Sequence, residues 1–369
     1  MLTPSERAHY ARQIRLSGFG DTAQARLRDA SVLMVGVGGL GSPAALYLAA
    51  AGVGHLILVD DDVVDVSNLH RQVLYTSGNV GRPKHQVAAE RLRAMNPHIE
   101  ITSHGLRFDA ESGPGLLDGA DLVLDGADTF ATRYLVNDLS VRTGVANVFA
   151  SVDQWTGQAS VFHLDNGPCY RCLFPEPPPE GLVPSCADGG VLGVLPGLLG
   201  LIQATEAIKV LTGLGDPLSG RVLTVDAATM RMRELRVDRD PACPVCGSTT
   251  PPKSSPLPMS PSVPEITPTE LAALRADGEA PLVLDVRQPD EYEAANIGGT
   301  LIPLGDLPDR LDEIASHKDD EQIVVHCRSG GRSAQAVQLL HSAGFTNAVN
   351  LAGGIHAWSD TVDPSVAKV

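Results

Sequence analysis

Val32-Leu33-Met34-Val35-Gly36-Val37-Gly38-Gly39-Leu40-Gly41-Ser42-Pro43-Ala44-Ala45 is the stretch on which the fold turns. Its first four residues read as a buried strand, and the alanine-rich continuation reads as a helix with Ser42 as its cap and Pro43 in its first turn. Between them, Gly36, Gly38 and Gly41 fit G-x-G-x-x-G. A strand, a glycine turn and a helix in that order bring backbone N–H groups to phosphate at the helix N-terminus. A second strand, 55–59, leads to Asp60, 19 residues beyond Gly41, where a carboxylate can hold a ribose. Taken alone, this pattern suits a dinucleotide as readily as ATP.

Working outward, 99–103, 122–124 and 147–151 are further strand candidates. Segments 158–164 and 221–226 look antiparallel in character, and 198–211 reads as an apolar-striped helix ended by Gly213. The expected fold is α/β, a Rossmann-like doubly wound sheet with antiparallel strands appended. Residues 248–264 contain six prolines and five serines in 17 positions. Such a segment buries no core and reads as a linker. The domains are therefore expected at 1–247 and 265–369. The second is a small α/β pattern, with strands at 282–286, 323–326 and 348–351 and a helix over 333–343 closed by Gly344.

Composition narrows the class. With 369 residues, 43% apolar and only 4% aromatic, the chain suits two Ala/Val/Leu-packed domains. A net charge of −16 argues against non-specific nucleic-acid binding, which needs Lys and Arg on phosphates. No signal-peptide pattern opens the sequence. Its longest apolar stretch, 191–202, is broken by Gly193, Pro196, Gly197 and Gly200, too short for a bilayer. A cytoplasmic protein without a membrane partner is expected, and its six cysteines are read as ligands or nucleophiles before disulfides.

The residues beyond Asp60 favour a triphosphate. Ser67-Asn68-Leu69-His70-Arg71-Gln72 supplies an amide and a guanidinium, and Gly81-Arg82-Pro83-Lys84 supplies a lysine opening a helix over 84–95. Two cations aimed at one nucleotide suit the charge that builds up in phosphoryl or adenylyl transfer. Asp125-Gly126-Ala127-Asp128 follows a strand and can position Mg²⁺.

Together with Tyr10-Ala11-Arg12-Gln13-Ile14-Arg15-Leu16, these motifs resemble the MoeB/ThiF adenylyltransferases, relatives of ubiquitin-activating enzymes. The resemblance spans residues 5–247. It implies an ATP site of Gly38, Gly39, Gly41, Asp60, Asp62, Ser67, Asn68, Arg71, Lys84, Asp128 and Thr129. Asn68, Arg71 and Lys84 would lie on phosphates, and Asp128 would bind Mg²⁺ or orient the reaction. Arg12 would reach the partner's ATP in a homodimer. The catalytic set is then Arg12, Arg71 and Asp128. Thr129 departs from the asparagine that relatives often carry.

Cys169-x-x-Cys172 and Cys243-x-x-Cys246 are matched pairs that can complete a closed, structural Zn²⁺ site; redox dithiols or ordinary thiols are the other readings. Seventy residues separate the pairs, and the resemblance implies that the fold joins them. Cys186 follows a proline-rich stretch and reads as a loop thiol, incidental on its own. Relatives place there a cysteine that links covalently to the activated partner, so Cys186 joins the catalytic candidates.

Cys327-Arg328-Ser329-Gly330-Gly331-Arg332 follows the strand 323–326 and opens into a helix. The N–H groups of residues 328–332 are expected to surround a Cys327 persulfide, with the helix N-terminus favouring its anion. The loop is one residue shorter than a related phosphatase cradle, which argues for sulfur over phosphate. The flanking Leu284-Asp285-Val286-Arg287-Gln288-Pro289-Asp290-Glu291-Tyr292 and Asn350-Leu351-Ala352-Gly353-Gly354-Ile355-His356-Ala357-Trp358 resemble rhodanese signatures. Asn296-Ile297-Gly298-Gly299-Thr300 departs from the usual His-Ile-Pro-Gly-Ala.

The two resemblances imply a fused enzyme of the MoeZ and molybdopterin-synthase sulfurylase type. Its partner would be a ubiquitin-like sulfur carrier ending in Gly-Gly. MgATP adenylates the carrier, a Cys327 persulfide thiolates it, and thiosulfate or a cysteine desulfurase supplies the sulfur. Molybdopterin synthesis is the expected pathway, with tRNA 2-thiolation, thiamine or cysteine synthesis as alternatives. An NAD-dependent oxidoreductase fused to a rhodanese, or a scaffold that docks ubiquitin-like proteins, lies outside that class.

Overall fold

Apolar runs that cannot alternate must be buried on both faces, and the strands here obey that rule. The computed structural model describes residues 2–178, 190–247, 263–276, 281–318 and 322–367. The chain divides into two compact units, the first formed by the described residues up to Pro177 and from 190 to 247, the second by Pro178 and the described residues from 263 on.

In the first unit, β1 (Ser31–Val35), β2 (His55–Val59), β3 (Glu100–His104), β4 (Leu122–Asp125) and β5 (Ala146–Asp153) pair in parallel. β6 (Thr156–Phe162), β7 (Arg221–Asp226) and β8 (Arg231–Arg236) follow antiparallel. Among the described residues the sheet has eight strands in the order β3-β2-β1-β4-β5-β6-β7-β8. The order reverses between β1 and β4. In open α/β sheets ligands bind in the crevice beyond the strand ends at such a switch point. The loop after β1 carries Gly36 to Gly41, and the loop after β4 carries Asp128.

The helix Val194–Thr212 overturns one expectation. Its glycines and proline looked like interruptions, yet it runs unbroken for 19 residues. Pro196 lies in its first turn, where a missing N–H costs nothing. By length and composition the helix could cross a membrane. Here Leu195, Leu199, Ala204 and Ala207 are buried in the core. Buried Gln203 donates to the Asp125 and Val148 carbonyls at 2.8 and 3.0 Å, tying the helix to β4 and β5.

Among the described residues the second unit holds a five-stranded parallel sheet: β9 (Glu265–Ile266), β10 (Leu282–Asp285), β11 (Thr300–Leu301), β12 (Ile323–His326) and β13 (Ala348–Leu351), ordered β11-β10-β12-β13-β9. Cys327 leaves the central strand β12. The helix after it is Gly331–Ser342, so it starts two residues earlier than expected and takes Gly331 and Arg332 into its first turn.

Candidate active sites

The crevice in the first unit is shaped by close backbone contact. Gly36 has φ +88°, and a methyl group on Gly41 would stand 2.1 Å from the Gly36 carbonyl oxygen. The turn therefore stays tight and its main chain bare. The helix Gly41–Ala51 has no side-chain cap. Its Ser42 N–H donates to the Gly38 carbonyl at 2.9 Å and Pro43 has none, so the anion-binding character here comes from the positive dipole end and the N–H groups of the glycine turn itself. Ser42, expected as the cap, instead donates to the Val37 carbonyl at 2.8 Å. The Tyr75 hydroxyl donates to the same oxygen at 3.0 Å.

Asp60 braces this loop. Its two oxygens accept the Val37 and Asp62 N–H groups, each at 2.9 Å. Burial raises its pKa, against the pull of the Lys84 charge and these two donors. A carboxylate has about four acceptor positions, so two remain for a ribose. Lys84 is only 4% exposed and sits 2.7 Å from Asp62 Oδ2. Buried Gln72 lies beside Gly38, and its Oε1 has no partner among the described residues. A helix N-terminus without a side-chain cap and a buried lysine fit a nucleotide phosphate, whereas the spare Gln72 oxygen only accepts and suits a hydroxyl or amino donor.

Ser67 and Asn68 lie on the turn Val66–Asn68, which Asp65 caps. The Asn68 carbonyl accepts the Arg71 and Gln72 N–H groups at 3.0 and 2.9 Å. Arg71 donates to the Ser67 carbonyl at 2.9 Å, and its Cδ stands beside Gly39. Asp128 and Thr129 are exposed beyond β4, and Thr129 caps the helix Phe130–Thr143 through the Thr132 N–H. Burial pushes the Asp125 carboxyl up to about 6, although Arg133 and the Ala127 N–H oppose it. Asp128 is exposed and open to a cation, whereas Asp125 is fully buried.

Arg12 stands apart. Its neighbour Gln13 donates to the Ala51 carbonyl at 3.0 Å, which places Arg12 near the far end of the helix Gly41–Ala51. That helix is about 16 Å long, so Arg12 is a helix length from its own glycine loop.

The four expected metal cysteines converge. Their sulfurs lie within 4.8 Å of one another, with Cys169–Cys243 at 3.6 Å and Cys172–Cys246 at 3.3 Å. Zn–S bonds of about 2.3 Å put tetrahedral sulfurs roughly 3.8 Å apart, so the cluster fits zinc. Burial and neighbouring sulfurs push the Cys169 thiol far up; a bound cation would reverse that. Arg171, between two of these cysteines, grips Asp138 of the helix Phe130–Thr143 at 2.7 and 2.8 Å. Cys186 lies outside the described residues.

In the second unit Cys327 is 1% exposed. Gly330, at φ +96°, donates its N–H to Cys327 Sγ at 3.2 Å. Arg328 and Ser329 are exposed on the same loop. Arg332 is held in a two-armed ion pair with Glu291, both contacts at 2.7 Å. Asn296 serves where the usual motif differs, accepting the Gly298 N–H at 3.2 Å and donating to the Tyr292 carbonyl at 3.1 Å. Below the loop, Asp285 and Arg287 form a fully buried ion pair at 2.7 Å. Burial drives the neighbouring His326 down to about 4, against the attraction of Asp285.

Sequence reading missed Gln72, Glu291, Ser333 and Asn350 as site residues. Gln72, Glu291 and Asn350 stood inside quoted motifs, but a motif does not say which side chain turns toward the loop. Ser333 was legible only as the start of a helix.

Residues 10–245 match the ThiF family and residues 267–361 the Rhodanese-like domain. The chain is 41% identical to the probable adenylyltransferase/sulfurtransferase MoeZ of Mycobacterium tuberculosis, over 99% of this chain and 96% of that protein. It is 51% identical to the sulfur carrier protein adenylyltransferase of Thermus thermophilus, over 66% of this chain and 92% of that one. Among solved structures, E. coli MccB superposes with a TM-score of 0.60 at 22% identity, covering 67% of this chain and 74% of that one, a likeness of fold.

Proposed function

The chain belongs to the ThiF family and carries a rhodanese-like domain behind it, and from that premise we propose that it adenylates a ubiquitin-like sulfur carrier and then thiolates it. The observation that carries this reading is the pairing, in one chain, of a glycine turn opening a helix without a side-chain cap at the sheet's switch point with a cysteine cradled by a backbone N–H.

ATP lies on the Gly36–Gly41 turn with its ribose on Asp60. Lys84, now held by Asp62, and Arg71 meet the phosphates. Asp128 would hold Mg²⁺, which would supply neutralisation of the phosphate charge as it develops. The carboxylate of the carrier's Gly-Gly tail attacks the α-phosphorus, giving acyl-adenylate and pyrophosphate. Arg12, distant from its own loop, completes the site of a second copy, so the working form is a homodimer. Zinc on the four cysteines is structural.

Cys327 thiolate takes the outer sulfur of thiosulfate and releases sulfite; a desulfurase persulfide serves equally. The Cys327 persulfide attacks the acyl carbon and expels AMP, forming an acyl disulfide. A second thiol, assigned to Cys186, attacks the Cys327 sulfur and frees the thiocarboxylate. The resulting Cys186–Cys327 disulfide is reduced by an external dithiol. Residues 248–264 serve as the linker, and molybdopterin synthesis in the cytoplasm is the assigned pathway. In Cys327→Ala, carrier-dependent ATP–pyrophosphate exchange persists and no thiocarboxylate forms. Thiocarboxylate made by Cys327→Ala from thiosulfate contradicts the scheme.

A further inference from the structure

Three side chains from separate segments form a chain of hydrogen bonds that ends on the sulfur of Cys327. Ser333, fully buried, has its hydroxyl oxygen 3.3 Å from Cys327 Sγ, 3.2 Å from the Gly330 carbonyl and 2.7 Å from Asn350 Oδ1. Asn350, buried on β13, donates from Nδ2 to Glu265 Oε1 at 2.8 Å. Glu265 is exposed on the edge strand β9.

A hydroxyl has one proton to give. A carboxylate only accepts, so Glu265 fixes which end of the Asn350 amide faces it. Asn350 Oδ1 is thereby turned toward Ser333 and draws the hydroxyl proton at the shortest of the three contacts. The Ser333 lone pairs are left facing Cys327, an arrangement that suits a thiol donating its S–H. When Cys327 ionises, Ser333 must turn its proton onto the sulfur and leave Asn350 Oδ1 without a donor.

We propose that Ser333 is a catalytic residue of the sulfur-transfer site, switching its single proton between Asn350 and Cys327. Asn350 and Glu265 are positioning residues that set the balance of that switch. The consequence is graded control of thiolate formation by an exposed carboxylate three side chains away from the sulfur. The inference rests on Cys327 as the sulfur-bearing nucleophile. Its test reads the thiol itself, so it stands or falls separately from carrier thiolation.

The test is the pH dependence of Cys327 alkylation by iodoacetamide in the full-length protein, followed on the Cys327 peptide by mass spectrometry. Glu265→Ala frees the amide to turn over, so Ser333 donates to the thiolate at no loss. The midpoint falls, and alkylation below it speeds up about three- to tenfold, the worth of one charge-assisted hydrogen bond. Ser333→Ala raises the midpoint. The double variant matches Ser333→Ala, because Glu265 acts only through the hydroxyl. Glu265→Gln, which keeps an acceptor, returns the midpoint toward wild type. The thermal midpoint of each variant guards against reading a folding defect as a switch. An unchanged midpoint in a folded Glu265→Ala protein overturns the proposal, as does a Glu265 effect that survives without Ser333.

Discussion

His326 precedes Cys327 on the central strand of the second unit, and burial holds its pKa near 4. An unfolded histidine titrates near 6.5. Between these values the unfolded chain binds the extra proton, so stability rises with pH through this window. The contribution is present above about pH 6.5 and lost as pH falls toward 4, amounting to about 3 kcal/mol. His326→Gln should flatten acid unfolding of the second unit between those pH values, read by tryptophan fluorescence of Trp358. A slope equal to wild type contradicts the buried neutral imidazole. Asp125 has the opposite sign. Burial raises it to about 6, so its share of stability is full below about pH 4 and is lost as pH rises to 6. The four paired cysteines were legible as matched C-x-x-C pairs that the family resemblance brings together, and Cys327 was legible from its loop between a strand and a helix. The Ser333–Asn350–Glu265 chain was not, because it joins residues 17 and 85 positions apart only after the sheet forms.

Elements carried as much of the reading as residues did. β1, β2, β7, β12 and β13 lie where apolar runs bounded by glycine or polar residues placed them. β8 escaped because Arg231-Met232-Arg233-Glu234-Leu235-Arg236 is exposed at every position and has no buried face to create a pattern. In the helix Val194–Thr212, Pro196, Gly197 and Gly200 suggest breaks, whereas Gly200 lets the helix press on the Leu40 carbonyl, 2.3 Å from where a methyl group would stand. The cysteine cluster and the helix Phe130–Thr143 are tied by Arg171 and Asp138, whose side chains are mostly buried. Asp138→Ala should cost about 2–3 kcal/mol, since it strands a largely buried guanidinium. Chelation should release one zinc per chain and lower the thermal midpoint of the first unit while leaving the second unit's transition in place. Zinc content of zero in freshly purified protein, with four free thiols at the cluster, contradicts the structural metal.

At the scale of the whole molecule, a proline-rich segment between two hydrophobic patterns sufficed to expect two units, since each pattern closes its own core. The isolation of Arg12 from its own glycine loop was not legible in the sequence, because it is a matter of helix length. Arg12→Ala and Asp128→Ala should each abolish adenylation. Mixed in equal amounts and allowed to exchange subunits, they should recover about a quarter of wild-type activity, because half the dimers are mixed and each holds one intact site. No recovery, with exchange verified, means that Arg12 serves its own chain. The central claim is that one chain both activates and thiolates a Gly-Gly tail. Its most direct test is the intact mass of a small Gly-Gly carrier protein after incubation with this enzyme, MgATP and thiosulfate. A gain of about 16 mass units, sulfur for oxygen in the terminal carboxylate, is the predicted result. A carrier that gains AMP but never sulfur, or that returns unchanged across several carriers and with a desulfurase donor, contradicts the account.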